Sequence, residues 1–515
     1  MHMIDIPLCD TLSASLNALA SAPSLLQARA QALQAQWQQP MADAATAAEL
    51  LLATERLAKI AAAGRQNDAA LIAQLDAAEP QHWNDLPNLP CDPAKQRALG
   101  QQMLDALGLK LHKPVAVLRL NPGTLSRVTT EEILRHCSAQ SIPVDMEFID
   151  SAFDTVLVNA LQPAELDGLI AHRQARIAAC NHNLRVASEI DPEISDRRDA
   201  EKFRRYDHES TEDFYKRLGR GELEWNLTYI PTEHEAKLDG QDYAQYLDFF
   251  FEACDQPWRA IQKAQAHLIK PFNAAKELHI TNSDGTDIRM SLEGHTFANS
   301  VVAHNIPGSE IFSGPVKESL NGVIVAKGNF AIDILGKTRR MRDITLKFEH
   351  GRIVEGHAVE GDADLQAVLQ LEDQLEPGDP KFEGSRHVGE IGIGTNPHIR
   401  NHSVNGLLVE KIGGSFHVAL GKCYGNEYLG EEVLMHNGNK SDIHWDLTTM
   451  LRGREGRMYL DGHLVQKDGE WVDCPALGLR HKEVDVLNRG WAALPDHQQP
   501  KAWREKLAAA QEKSR

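Results

Sequence analysis

Apolar residues recur at three- and four-residue spacing through LLQARAQALQAQW and AAELLLATERLAKIAAA, so residues 11–110 predict amphipathic helices. The segment NDLPNLPCDP (84–93) breaks that period and predicts a loop. No chemistry-bearing cluster falls in this stretch, which reads as a helical extension packed on the body or on a second subunit. Near residue 110 the pattern changes. PVAVLRL (114–120) is a short, almost continuous apolar run and predicts a buried strand. TTEEILRHCSAQ (129–140) predicts a helix capped by a threonine, and IPVDMEFID (142–150) a second strand. Strand, helix and strand with short connections make a βαβ unit of a parallel sheet. Helical segments follow to about 220. No GxGxxG turn accompanies the unit, so no nucleotide site is inferred.

After about 270 the period shortens to two. ELHITNSDGTDIRMSL holds two alternating runs around Ser-Asp-Gly, DITLKFEHGRIVEGHAV two around His350-Gly351, and RMYLDGHLVQKDGEWV carries Asp-Gly twice. These are hairpin patterns. One helix, DADLQAVLQLEDQL (362–375), interrupts the strands, and PKAWREKLAAAQEKSR predicts a solvated end helix. The expected fold is therefore α/β plus α+β. It has a helical N-terminal extension (1–110), an α/β parallel-sheet domain (111–270) and a C-terminal β-rich α+β domain (271–515).

A length of 515 residues exceeds one ordinary core, in keeping with two or three domains. With 42% hydrophobic and 25% charged residues, the composition is that of a soluble globular protein. A net charge of −19 argues against nucleic acid or an anionic membrane as the main partner. No run approaches the roughly 18 consecutive apolar residues of a membrane helix. MHMIDIPLCD lacks the basic-then-apolar pattern of a secretory leader. The seven cysteines are scattered, without a CxxC, which fits reduced thiols in the cytoplasm better than a disulfide framework or a zinc ribbon. Any metal must then be held by His, Asp and Glu.

The unusual polar placements all lie in the β-rich part. HNIPGSEIFSGP (304–315) carries one carboxylate, Glu310, between chain-bending Pro307-Gly308 and Pro315. HVGEIGIGTNP (387–397) carries Glu390 between an apolar strand and a Gly-rich loop. VEKIGGSFHVALGKCY (409–424) supplies Glu410, His417 and Tyr424, and SDIHWDL (441–447) supplies His444 and Asp446. Strand side chains alternate faces, so His444 and Asp446 aim at one point with Trp445 opposite. His417 shares a face with Ala419, which leaves room beside the imidazole. Imidazoles and carboxylates without thiolate suit a hard or borderline divalent cation such as zinc, cobalt, manganese or iron. Singly, such residues are ordinary: a histidine on an apolar strand is usually a hydrogen-bonded core residue, and a glutamate in a Pro/Gly loop a turn residue. Together the four clusters explain one another if they converge.

In order and spacing, NIPGSEIFSGP, GEIGIGTNP, EKIGGSFHVALGKCY and NKSDIHWDL resemble the M29 family of metalloaminopeptidases. The similarity runs from about 225, where EWNLTYIPTE also fits, to about 450, and is looser in the α/β domain. Ser309 stands where the family pattern often has Gly. The resemblance implies a two-metal site with Glu310, Glu390, Glu410, His417, His444 and Asp446 as ligands. It implies zinc or cobalt, with manganese or magnesium as the other candidates, and a homodimer. It also implies release of N-terminal residues from short peptides, with Glu390 bridging the ions, Tyr424 facing the oxyanion, and Glu310 or Glu390 carrying the proton. Two other readings stand beside it. A mononuclear non-haem iron dioxygenase that opens dihydroxypyridine rings resembles the same scaffold, and Glu310, His417, His444 and Asp446 suffice for it. Glu390 and Glu410 argue for a second metal instead. The third reading is a non-catalytic module with a structural cation; a surplus of ligands beside a tyrosine favours catalysis over it.

Overall fold

A computed structural model describes residues 3–78, 82–110, 115–149, 151–188, 194–302, 304–334, 337–373, 378–423 and 436–513. The chain divides into two compact units, residues 1–251 with 335–337, and residues 252–334 with 338–515.

The first unit opens with helices Asp10–Ser21, Gln27–Trp37, Ala44–Ala62, Ala69–Ala78 and Pro93–Lys110. Helix Ala44–Ala62 starts where the Asp43 carboxylate accepts from the Thr46 backbone N–H, satisfying one otherwise unpaired donor. Residues expected to form an N-terminal extension thus fall in the same unit as the parallel sheet. That sheet contains β1 (Leu118–Pro122), β2 (Val144–Met146), β3 (His182–Ala187) and β4 (Glu224–Tyr229), in the order β2-β1-β3-β4 with every pair parallel. The expected βαβ unit is present, shifted toward the C-terminus at its first strand. Its helix, Arg127–Ala139, begins after Ser126, not at a capping Thr129. Thr129 lies buried inside the helix and donates to the Gln96 carbonyl at 3.0 Å. Strand β3 arises within a stretch that read as helical, and β4 follows just past it. Their polar members, among them His182, Asn183 and Asn226, are buried and break the apolar run that marks a parallel strand.

The second unit is mostly antiparallel. Its strands are β5 (Glu277–Thr281), β6 (Asp287–Ser291), β7 (Ala298–Ser300), β8 (Glu310–Ser313), β9 (Asn321–Ile334), β10 (Lys337–Glu349) and β11 (Arg352–Glu360). They continue with β12 (Val388–Gly394), β13 (Ser415–Gly421), β14 (His444–Met450), β15 (Arg457–Leu460), β16 (His463–Lys467) and β17 (Glu470–Trp471). An eight-stranded sheet runs β11-β10-β9-β6-β5-β15-β16-β17, and a five-stranded sheet runs β14-β13-β12-β8-β7. All the expected hairpins form. At Asp461-Gly462 and Asp468-Gly469 both residues have positive φ, between 47° and 78°, as a two-residue turn matched to strand twist requires.

Two details differ from the sequence pattern. The helix expected over 362–375 closes at Leu369. The C-terminal helix Lys501–Lys513 is anchored as well as solvated: Trp503 is buried, its indole N–H donates to Asp255 Oδ2 at 2.9 Å, and Lys506 pairs with Glu252. A charged helix with one buried tryptophan has too weak a stripe to reveal such docking. Among the described residues, no helix is long and apolar enough to cross a membrane.

Candidate metal centre

The five-stranded sheet brings the sequence clusters to one face. Register pairs Glu310 with Gly394, Gly392 with His417, Ala419 with Asp446, and Gly421 with His444. Large polar side chains therefore lie opposite glycine or alanine, and the small partners open a hollow between them. Gly392 is the tightest case, because the His417 ring lies directly over its Cα. Glu390 belongs to the uniformly buried strand β12, and Glu310 is the first residue of β8 and not part of a loop.

Glu310, Glu390 and His417 are all buried, and one ligating atom from each lies within 4.8 Å of the others. His417 Nε2 is 3.4 Å from Glu390 Oε1, 3.5 Å from Glu310 Oε2 and 3.9 Å from Asp446 Oδ1. His444 Nε2 is 3.3 Å from Glu390 Oε2 and 3.8 Å from Asp446 Oδ1. The two oxygens of Glu390 thus face two different imidazoles. The alternation expected of β14 holds: Trp445 points away and donates to the Ala331 carbonyl at 3.2 Å. Glu410, just past the short helix Gly406–Val409, meets the cluster through Lys411 and through Asp446. Tyr424 lies outside the described residues.

Three groups that sequence reasoning missed hold this arrangement. Lys411 is fully buried, with its ammonium on Glu310 Oε1 and 2.8 Å from Glu410 Oε2. Gln265, from helix Trp258–Ala274, donates through Nε2 to Ser309 Oγ (3.0 Å), Thr395 Oγ1 (2.8 Å) and the Glu310 carbonyl (3.2 Å). Ser309 takes φ 96°, a conformation that favours glycine, and its hydroxyl lies 2.7 Å from that of Thr395. Only Ser309 carried a signal in the sequence, as a serine where the family pattern often has Gly.

Burial and mutual charge set the electrostatics. Burial alone would lower the pKa of His417. The Glu390 hydrogen bond and the charges of Asp446 and Glu310 outweigh it and raise the value to about 9. His444 rises to about 10 against the same penalty, through Asp446 and Glu390. Burial would raise Glu390, yet its two imidazole partners hold it at about 2. Asp446 is pushed up to about 8 by burial and by Glu410. Despite its burial, Lys411 is held above the ordinary lysine range by Glu310 and Glu410.

The donor set fits a divalent cation. Glu310 Oε2, Glu390 Oε2 and Asp446 Oδ1 are buried acceptors without a hydrogen-bond partner. Their nearest counter-charges are the two imidazoles, 3.3 to 3.9 Å away, and a cation seated among the three oxygens would meet them together. Imidazole and carboxylate together match zinc and its neighbours.

A family model described as thermophilic metalloprotease (M29) matches residues 130–471. Aminopeptidase T of Thermus thermophilus is 28% identical over 237 residues, covering 42% of this chain and 54% of that protein. Aminopeptidase T of Thermus aquaticus is 26% identical over 252 residues, covering 43% and 58%. The chain spans about half the length of the curated relatives it matches. The solved structure of wild-type AmpT from Thermus thermophilus is similar in fold, with a TM-score of 0.57 at 19% identity over 74% of this chain and 99% of that one.

Proposed function

Since the chain belongs to the M29 family of thermophilic metalloproteases, we propose that it is a metal-dependent aminopeptidase releasing N-terminal residues from short peptides. One observation carries the reading: buried Glu310, Glu390 and His417 converge, with His444 and Asp446 alongside.

Two divalent cations, zinc or cobalt, or else manganese or magnesium, would supply Lewis acidity and a water acidified toward neutrality. Glu310 and His417 would hold one, and His444 and Asp446 the other. Glu390 would bridge them, a role supported by its two oxygens facing different imidazoles. Glu410 completes the proposed ligand set. The Lys411 ammonium favours the ionised form of both Glu310 and Glu410 and orients them; Glu410 is held below the ordinary carboxylate range, whereas burial still lifts Glu310 above it. A Glu310 or Glu390 oxygen not used for ligation would carry the proton from water to the leaving amine. Tyr424 would donate to the developing oxyanion, a contribution of about 3 kcal/mol in comparable sites. A homodimer working in the cytoplasm belongs to the same proposal; seven cysteines free of disulfides are in keeping with a reducing compartment.

Metal analysis of the purified protein, run beside hydrolysis of a panel of aminoacyl and N-acetylated aminoacyl chromogenic substrates, tests this. The expected result is cleavage of free-amine substrates only, lost with chelator and restored by zinc or cobalt. A single iron per chain with oxygen uptake, or no cleavage under any metal loading, overturns it.

A further inference from the structure

The first unit contains a second constellation, unconnected to the metal ligands. At the C-terminal ends of β1, β2 and β3 lies a cavity of about 310 Å³. Asn121 from the end of β1, Glu147 just past β2 and Arg185 from β3 line it, facing Arg173, Arg198 and Tyr206. The strand order β2-β1-β3 reverses direction there, and open parallel sheets bind ligands in that crevice.

Every carboxylate of the cavity is already paired. Glu147 meets Arg119 and, at 3.0 Å, Arg173. Asp154 meets Lys59 at 2.8 Å, and Asp207 meets Arg173 at 3.4 Å. Arg185 differs. Protein surrounds it, with Arg173, Asp207, Tyr215 and Tyr229 as its charged or titratable neighbours, but its side chain stays open to the cavity. Among the described residues it has no hydrogen bond or ion pair. Arg198 makes a 3.4 Å contact to Thr155 Oγ1 and stacks on Phe203. Tyr206 is 3% exposed, and its hydroxyl has no hydrogen-bond partner.

Among the described residues, Lys59, Arg119, Arg173 and Arg176 pair with Glu55, Asp145, Glu147, Asp154 and Asp207, while Arg185 and Arg198, which line the cavity, pair with no carboxylate.

We propose that this cavity binds a small organic anion, whose phosphate or carboxylate group is held by Arg185 and Tyr206. A guanidinium offers paired N–H donors matched to either oxyanion, and the phenol of Tyr206, which also lines the cavity, adds a third donor. The aromatic rings of Phe148 and Phe203 leave an apolar surface for the rest of the ligand.

Calorimetric titration of the full chain with inorganic phosphate and with citrate, at ionic strength matched by sodium chloride, tests the site. One saturable site per chain is expected, with a Kd below about 10 mM. Phosphate binding alone assigns a phosphorylated ligand, and citrate binding alone a carboxylate. Arg185→Met weakens binding about tenfold or more, whereas Arg29→Ala, a surface ion-pair variant, leaves it unchanged. If Arg185→Met does not fold, Tyr206→Phe, which deletes one oxygen, carries the test with an expected loss of about threefold. Wild-type protein that takes up neither anion, or variants of Arg185 and Tyr206 that bind as wild type, overturn the proposal.

Discussion

Replacing Gly392 by alanine tests the geometry of the candidate metal centre with a single carbon. An ideal Cβ at Gly392 would lie 2.1 Å from both Cε1 and Nε2 of His417, and 3.0 Å from Cδ2. Ordinary contact begins near 3.4 Å, so the imidazole must retreat by more than about 1 Å or the strands must part. Gly392 does not have positive φ, so the backbone itself accepts alanine. The clash is therefore confined to the ring. A metal–imidazole bond tolerates about 0.2 Å of displacement, far less than this retreat. The expected result is a loss of at least about 100-fold in zinc affinity and a similar loss in turnover. Metal titration with a chelating competitor and a chromogenic aminoacyl substrate measure both. The clash also predicts its own relief: in a His417→Ala background, Gly392→Ala no longer destabilises the fold, a coupling that a double-mutant cycle reads directly. Wild-type metal content and rate in Gly392→Ala would refute the placement of His417 over Gly392.

Three further outcomes follow from the same structure. Lys411→Met leaves Glu310 and Glu410 without their shared ammonium, and chelated protein should lose about 3–5 kcal/mol by urea unfolding. Zinc should offset more of that loss than it adds to the wild type, and an unchanged urea midpoint would sink the account. Ser309→Ala keeps φ 96° while losing the hydroxyl contacts to Gln265 and Thr395, for a cost of about 1–2 kcal/mol. Ser309→Gly loses the same contacts but relieves about 1 kcal/mol of backbone strain, so it should be the more stable of the two; the reverse order contradicts the argument. Glu252 has a pKa of about 2 because hydrogen bonds from His398 and Lys506 outweigh the rise due to burial. A carboxylate depressed in this way stabilises the fold above its unfolded value, and that stabilisation is lost as pH falls from about 4.5 to 2. Because Glu252 is partly open to water, the effect should be about 1–2 kcal/mol. The gap in Tm between wild type and Glu252→Gln should therefore shrink between pH 5 and pH 3, and a constant gap would disprove the coupling.

The sequence revealed those parts of the fold that rest on local rules. The Asp-Gly turns, the alternation in SDIHWDL and the three- and four-residue period of the first helices each reflect contacts within a few residues. Strands β3 and β4 were hidden because their buried polar residues take their meaning from distant partners. In β4, for example, polar Asn226 and Thr228 are fully buried while the apolar Trp225 and Leu227 that alternate with them are only half-buried, the reverse of what the alternation suggests. The metal-centre candidates were legible as residue types in order, and for His444 and Asp446 also as geometry. Lys411 was not, because a lysine after a glutamate in VEKIGG looks like any solvated pair. Nothing local shows that its ammonium reaches Glu310, which is 101 positions away.

The missed residues share a physical role. Four carboxylates packed against two imidazoles repel one another, and a cation cannot organise them before it arrives. Lys411 supplies one fixed positive charge beforehand, on the edge where Glu310 and Glu410 would otherwise be adjacent and bare. Gln265 and Ser309 fix the backbone at Glu310 without adding charge, so the carboxylate is positioned by neutral hydrogen bonds. Gly392 fixes His417 by leaving only one place for its ring. The centre is thus preorganised by a buried ammonium, a neutral amide and a missing side chain. Residue types in the candidate ligand set alone would not produce it, since the geometry also depends on Lys411, Gln265 and Gly392, none of which is a candidate ligand.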